Sequence, residues 1–164
     1  CIRDSRRGGE IMQKNLELLG PIEYNDSEIK FAKELQLTLD KPPVGLNGKI
    51  YPLRETIMNG GGGSTDVGDV SWVVPTVQMW GGNYAIGTPF HSWQMVAQGK
   101  SPMAYKGLTH AASVMAATAV DVILDSELRA KALADLKSRV GSAGYICPLP
   151  EGSSPPIKAM GGHL

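Results

Sequence analysis

Ser64-Thr65-Asp66-Val67-Gly68-Asp69-Val70-Ser71-Trp72 runs directly into Val73-Val74-Pro75-Thr76-Val77-Gln78-Met79, and the reading of this second piece decides the fold class. It is short, β-branched and closed by Gly81-Gly82, the pattern of a strand. Upstream stand four glycines, Gly60 to Gly63, which allow backbone shapes that other residues resist. Lys49 to Leu53 is expected as a short edge strand, where its Pro52 is tolerated. Tyr84 to Ile86 is expected as a weaker one.

Helices flank this region on both sides. The first is expected from about Gly9 to Leu19, stopped by Gly20-Pro21, and the second from about Ser27 to Leu39. Asn25, Asp26 and Ser27 offer caps for the second, and Ile29, Ala32, Leu35, Gln36 and Leu39 trace its mostly apolar stripe. Ser101 as N-cap with Pro102 at the first position opens the longest helix, to about Leu124. A charged helix from about Glu127 to Arg139 follows, and the Pro-, Gly- and Ser-rich remainder reads as an extended or partly disordered tail. Helices around a few short strands predict an α/β sandwich with too few strands for a complete doubly wound sheet.

The chain has 164 residues, enough for one domain of ordinary size. Its 16 Lys plus Arg balance 16 Asp plus Glu, so it lacks the electrostatic footprint of a nucleic-acid binder. No apolar stretch is read as reaching the roughly 18 to 20 residues of a membrane helix. Two cysteines, Cys1 and Cys147, are too few for a disulfide framework or a thiolate zinc site, so a reducing cytoplasm is expected. The chain opens Cys1-Ile2-Arg3-Asp4, without Met or signal peptide, which predicts either a trimmed chain or the later part of a longer protein.

Sites of chemistry are few. Gly60 to Gly63 with Ser64-Thr65 invites a phosphate-loop reading, but the lysine of that motif is missing and no good strand precedes it. His163 lies beside the C-terminus and His110 in the middle of the long helix, where a surface or boundary role is expected. His91 differs: it sits in Gly87-Thr88-Pro89-Phe90-His91-Ser92-Trp93-Gln94, an irregular segment before the long helix, the kind of loop that commonly carries function. There is no His-x-Asp, no Glu-Glu pair, no His-Glu-x-x-His and no Gly-x-Ser-x-Gly elbow. Cys147 reads as a small packed residue. On its own the chain assembles no catalytic site.

Taken together, the Gly63 to Trp72 motif, Val-Pro-Thr-Val-Gln and Gly-Thr-Pro-Phe-His-Ser-Trp-Gln resemble the C-terminal part of the B-type subunits of the aminobenzoyl-glutamate utilization group. These are amidohydrolases of the M20 metallopeptidase family. The likeness continues through Ser101 to Ile123 and Tyr145 to Pro148, and at the front through Gly9 to Gly20, covering roughly residues 8 to 150. It implies the C-terminal part of a three-layer α/β metallo-exopeptidase-type catalytic domain, lacking most of the lid domain. Residues 1–8 would be a remnant of the return from the lid, 9–150 the catalytic part and 151–164 the tail.

The resemblance also implies chemistry. In the complete enzyme two divalent metals, Zn or Mn, bridge a water that attacks the amide of an N-acyl amino acid of aroyl-glutamate type, with a glutamate as general base. Most ligands belong to the half of the family pattern missing here, so no catalytic residue is expected in this stretch, and His91 is the one metal ligand carried over. Ser64, Thr65, Asp66 and Asp69 would line the site and orient ligands or substrate. The competing reading has Ser64, Thr65 or Asp66 capping a short helix and Asp69 solvated. Trp72 and Trp93 read as core and Lys106 as solvated. Expected partners are a small-molecule N-acyl amino acid and a like or related subunit, with no nucleic acid and no membrane. The alternative function is a non-catalytic fragment or degenerate relative acting as an interaction domain.

Overall fold

The computed structural model describes residues 6–53, 65–157, 159 and 161. Six helices account for its regular structure: α1 (Arg6–Leu19), α2 (Asp26–Leu37), α3 (Val67–Val73), α4 (Trp93–Gln98), α5 (Pro102–Leu124) and α6 (Ser126–Val140). The α/β expectation is therefore corrected. Among the described residues there is no sheet, only an isolated bridge at Thr76.

The physical reason lies at the start of the expected strand. Val67–Val73 closes into a helix, with Val70 N–H donating to Asp66 O at 3.2 Å and Val74 N–H to Val70 O at 3.0 Å. Val74 then leaves it with φ −134° and ψ 147°. That backbone has a strand's shape, but a strand is stable only with partners across its hydrogen bonds, and the segment through Met79 finds none in a regular ladder. Lys49 to Leu53 and Tyr84 to Ile86 are likewise unpaired.

The four predicted long helices are present. α2 begins with a capping box: Asn25 Oδ1 accepts from Glu28 N–H at 3.0 Å, and Glu28 Oε2 accepts from Asn25 N–H at 2.8 Å. Ser101 caps α5 through Ala104 N–H, and Asp125 caps α6 through Leu128 N–H. α5 is long and apolar enough to cross a membrane by length and composition, which corrects the sequence reading on that point. A core helix passes the same test, and α5 packs along α1 and α6.

Two regions of packing result. In one, α1, α5 and α6 lie together, with Gly9, Met12 and Asn15 of α1 turned inward and Asn15 Nδ2 donating to Asp121 Oδ2 at 2.8 Å and Thr118 Oγ1 at 3.3 Å. In the other, Ala32 of α2, Ala85 and Met103 of α5 are fully buried, with Tyr24 and Leu46 against them. The backbone of Gly82 and Asn83 passes close over α5 at Gly107, where a Cβ would collide with Asn83. Tyr24 seals this crossing by donating its hydroxyl to Gly82 O.

Candidate functional site

His91 stands between the loop 84–90 and α4. It is exposed, and its backbone lies at φ +59°, a left-handed conformation uncommon for a side chain with a Cβ. Such an outlier persists only when its surroundings over-determine it, and outliers of this kind cluster at functional positions. Here Ser92 follows as the N-cap of α4, its hydroxyl accepting from Met95 N–H at 3.2 Å and donating to Pro89 O at 2.7 Å. Phe90 packs edge-on against Tyr84 with ring centres 5.9 Å apart.

The other expected site residues fall elsewhere. Ser64 and the four glycines lie outside the described residues, as does His163. Thr65 Oγ1 accepts from Val67 N–H at 3.3 Å at the mouth of α3, while Asp66, the N-cap, makes no capping bond with its side chain. Asp69 accepts from the Tyr145 hydroxyl at 3.2 Å, tying the C-terminal stretch to α3. Thr65, Asp66 and Asp69 are all exposed. Among the described residues no three His, Cys, Asp or Glu side chains gather where they could hold a metal ion. One imidazole supplies one of the four donors a zinc site needs, so these residues do not by themselves fit a metal centre.

Three further expectations are settled by contacts. Lys106 is an ion-pair partner: its ammonium meets Glu28 Oε2 at 2.8 Å and Glu23 O at 2.9 Å. His110 is half-buried, with Nε2 2.8 Å from Gly20 O just past the end of α1; a carbonyl only accepts, so Nε2 carries the proton. Trp93 is exposed on α4 rather than in the core, and so is Cys147.

What sequence reasoning missed is the support under His91. Gln36, Gln94 and Gln98 are buried, and their amides reach the loop that carries it. Gln36 was visible as one member of the α2 stripe, but nothing in the local pattern marks Gln98.

No family model matches the chain, and no solved structure does. A curated relative, the B-type subunit of p-aminobenzoyl-glutamate hydrolase from Escherichia coli (strain K12), is 37% identical over 172 aligned residues, covering 90% of this chain and 36% of the relative. The chain thus spans about a third of that relative's length. Identity at this level over nine-tenths of the chain, the stretches around Asp66 and His91 included, places the protein: it belongs to the group of p-aminobenzoyl-glutamate hydrolase B-type subunits.

Proposed function

We propose that this chain is the C-terminal part of a hydrolase that splits an N-acyl amino acid amide of the aroyl-glutamate type, and that His91 is the metal ligand it contributes. The observation that carries the reading is the 37% identity to a protein named as a hydrolase of p-aminobenzoyl-glutamate. The exposed imidazole on a left-handed backbone supports it. In the complete protein two divalent ions, Zn or Mn, would take their remaining donors from polypeptide beyond these residues, and Thr65, Asp66 and Asp69 would border the substrate. Assembly with a like or related subunit, and a cytoplasmic setting, belong to the same reading. Metals bound there would activate water and polarise the amide carbonyl. This chain's part is to present a neutral imidazole at a set angle.

The test is His91→Ala in the complete protein, assayed for p-aminobenzoyl-glutamate hydrolysis, bound metal by elemental analysis and folding by circular dichroism. Turnover should fall by about 100-fold or more, bound metal should fall with it, and the helical signal should stay. Near-normal turnover and metal content would end the assignment. The second reading, an interaction domain without catalysis, is favoured by one observation: the outward face of α5 leaves Leu108, Met115 and Ile123 exposed. A complete protein inactive with every metal tried, yet bound tightly to a companion chain, would favour it.

A further inference from the structure

The loop ahead of His91 is fastened by uncharged, buried side chains from two different helices. From α4, Gln98 Oε1 accepts from Ala85 N–H at 2.6 Å, and its Nε2 donates to Thr88 Oγ1 at 3.1 Å and to Gln94 O at 2.9 Å. Thr88 completes the ring by donating its hydroxyl to Ala85 O at 2.7 Å. From α2, Gln36 Oε1 accepts from Gly45 N–H at 2.7 Å, and its Nε2 donates to Gly45 O at 3.1 Å and Ile86 O at 3.0 Å. Lys41 Nζ donates to Gly87 O at 2.6 Å. Gln36 and Gln98 are 0% and 1% exposed.

Buried amides are a demanding way to fill space. A leucine or methionine of similar size would pack there without needing partners, whereas an amide left unmatched in the interior is penalised. What an amide adds is direction, because a donor and an acceptor on one rigid group fit only one arrangement of the backbone they meet. Both amides spend that direction on Ala85, Ile86 and Thr88, a few residues before a histidine held at positive φ. We infer that Gln98 and Gln36 are positioning residues for His91: they set the loop whose geometry holds its backbone left-handed and aims its imidazole. The inference rests on the reading of His91 as a metal ligand for its purpose, but the geometry it asserts can be measured without metal or substrate.

The experiment is NMR on the full 164-residue chain, comparing wild type with Gln98→Met and Gln36→Met, which keep length and lose the amide. A backbone at positive φ brings the amide proton of His91 close to its own Hα and gives a strong intraresidue NOE. Both variants should lose that NOE, and the His91 ring signals should move towards those of an unstructured peptide. The ring signals of His110, anchored on Gly20 O, and the circular dichroism of the helices should not change, which separates positioning from general loosening. In Gln98→Glu the protonated acid can still accept from Ala85 and donate to Thr88, whereas the carboxylate cannot donate. The wild-type His91 NOE should therefore return as that carboxyl gains its proton and vanish as it ionises. Persistence of the NOE in both methionine variants overturns the inference. If those variants do not fold, a His91 NOE in Gln98→Glu that ignores the titration overturns it. Normal turnover in His91→Ala would remove the ligand role while leaving these signals as expected, so the two failures are distinguishable.

Discussion

Glu28 is the residue whose charge state the fold determines most firmly. Its side chain is 2% exposed, and one oxygen takes both the Lys106 ammonium and the Asn25 amide at 2.8 Å. Burial alone would raise its pKa, but the hydrogen bonds from Lys106 and Asn25, with the Lys106 charge, outweigh it and hold the carboxyl below its ordinary value. A carboxyl lowered in the folded state adds stability that is present above its unfolded pKa, about 4.3, and is lost as pH falls through the folded value. Wild type should therefore lose its advantage over Glu28→Gln as urea melts are taken from pH 6 down towards pH 3. Parallel curves for the two proteins would show that the pair contributes nothing. Neighbouring Tyr24 is pushed the other way, by burial and by the Glu28 charge, so its phenol keeps the proton it donates to Gly82 O. At this scale the sequence was partly readable. His91 stood out because an irregular segment surrounds it. Gln98 could not stand out, since what a buried amide does depends on groups that only the folded chain brings to it.

Among the elements, helices were legible and the rest was not. α1, α2, α5 and α6 carry their own spacing, and Asn25, Ser101 and Asp125 mark the starts of the last three without tertiary information. The segment Val73 to Met79 carries only a preference for extended backbone. Val74 satisfies that preference, but whether a partner lies alongside is not written locally. Close crossings are equally invisible in one dimension. Gly107 lies inside α5, where glycine costs about 1 kcal/mol relative to alanine, yet it is kept where Asn83 crosses. Gly107→Ala should therefore destabilise by about 1–3 kcal/mol despite the better helix former, because the added methyl overpacks the crossing. Gly68 in α3 has open space around its Cβ position, and Gly68→Ala should be neutral or stabilising by up to about 1 kcal/mol. Thermal melts of the two variants check both signs. A stabilised Gly107→Ala would mean that the loop simply moves aside.

Over the whole molecule, apolar surface is the dominant feature. Tyr105, Leu108, Met115 and Ile123 follow one another at helical spacing along α5 and are 53%, 63%, 59% and 70% exposed. The buried residues Met103, Gly107, Val114 and Thr118 occupy the opposite side, so α5 is apolar on two faces with only one of them used inside the chain. Contiguous exposed stripes of this kind mark interaction surfaces or aggregation liabilities. The isolated chain should self-associate at micromolar concentration, and the double variant Leu108→Glu, Ile123→Lys should sediment as a monomer with unchanged helicity. A wild type that is monomeric across that range would refute this. The long helices also join the ends of the sequence: Asn15 of α1 bonds Asp121 of α5 across 106 positions. At a synthesis rate of about 5–20 residues per second, α1 leaves the ribosome on the order of ten seconds before the acceptor for Asn15 has been made. During that interval Met12 and Asn15 have no native partner on α5, so the growing chain passes through a period in which its first helix depends on chaperones or on its own solubility.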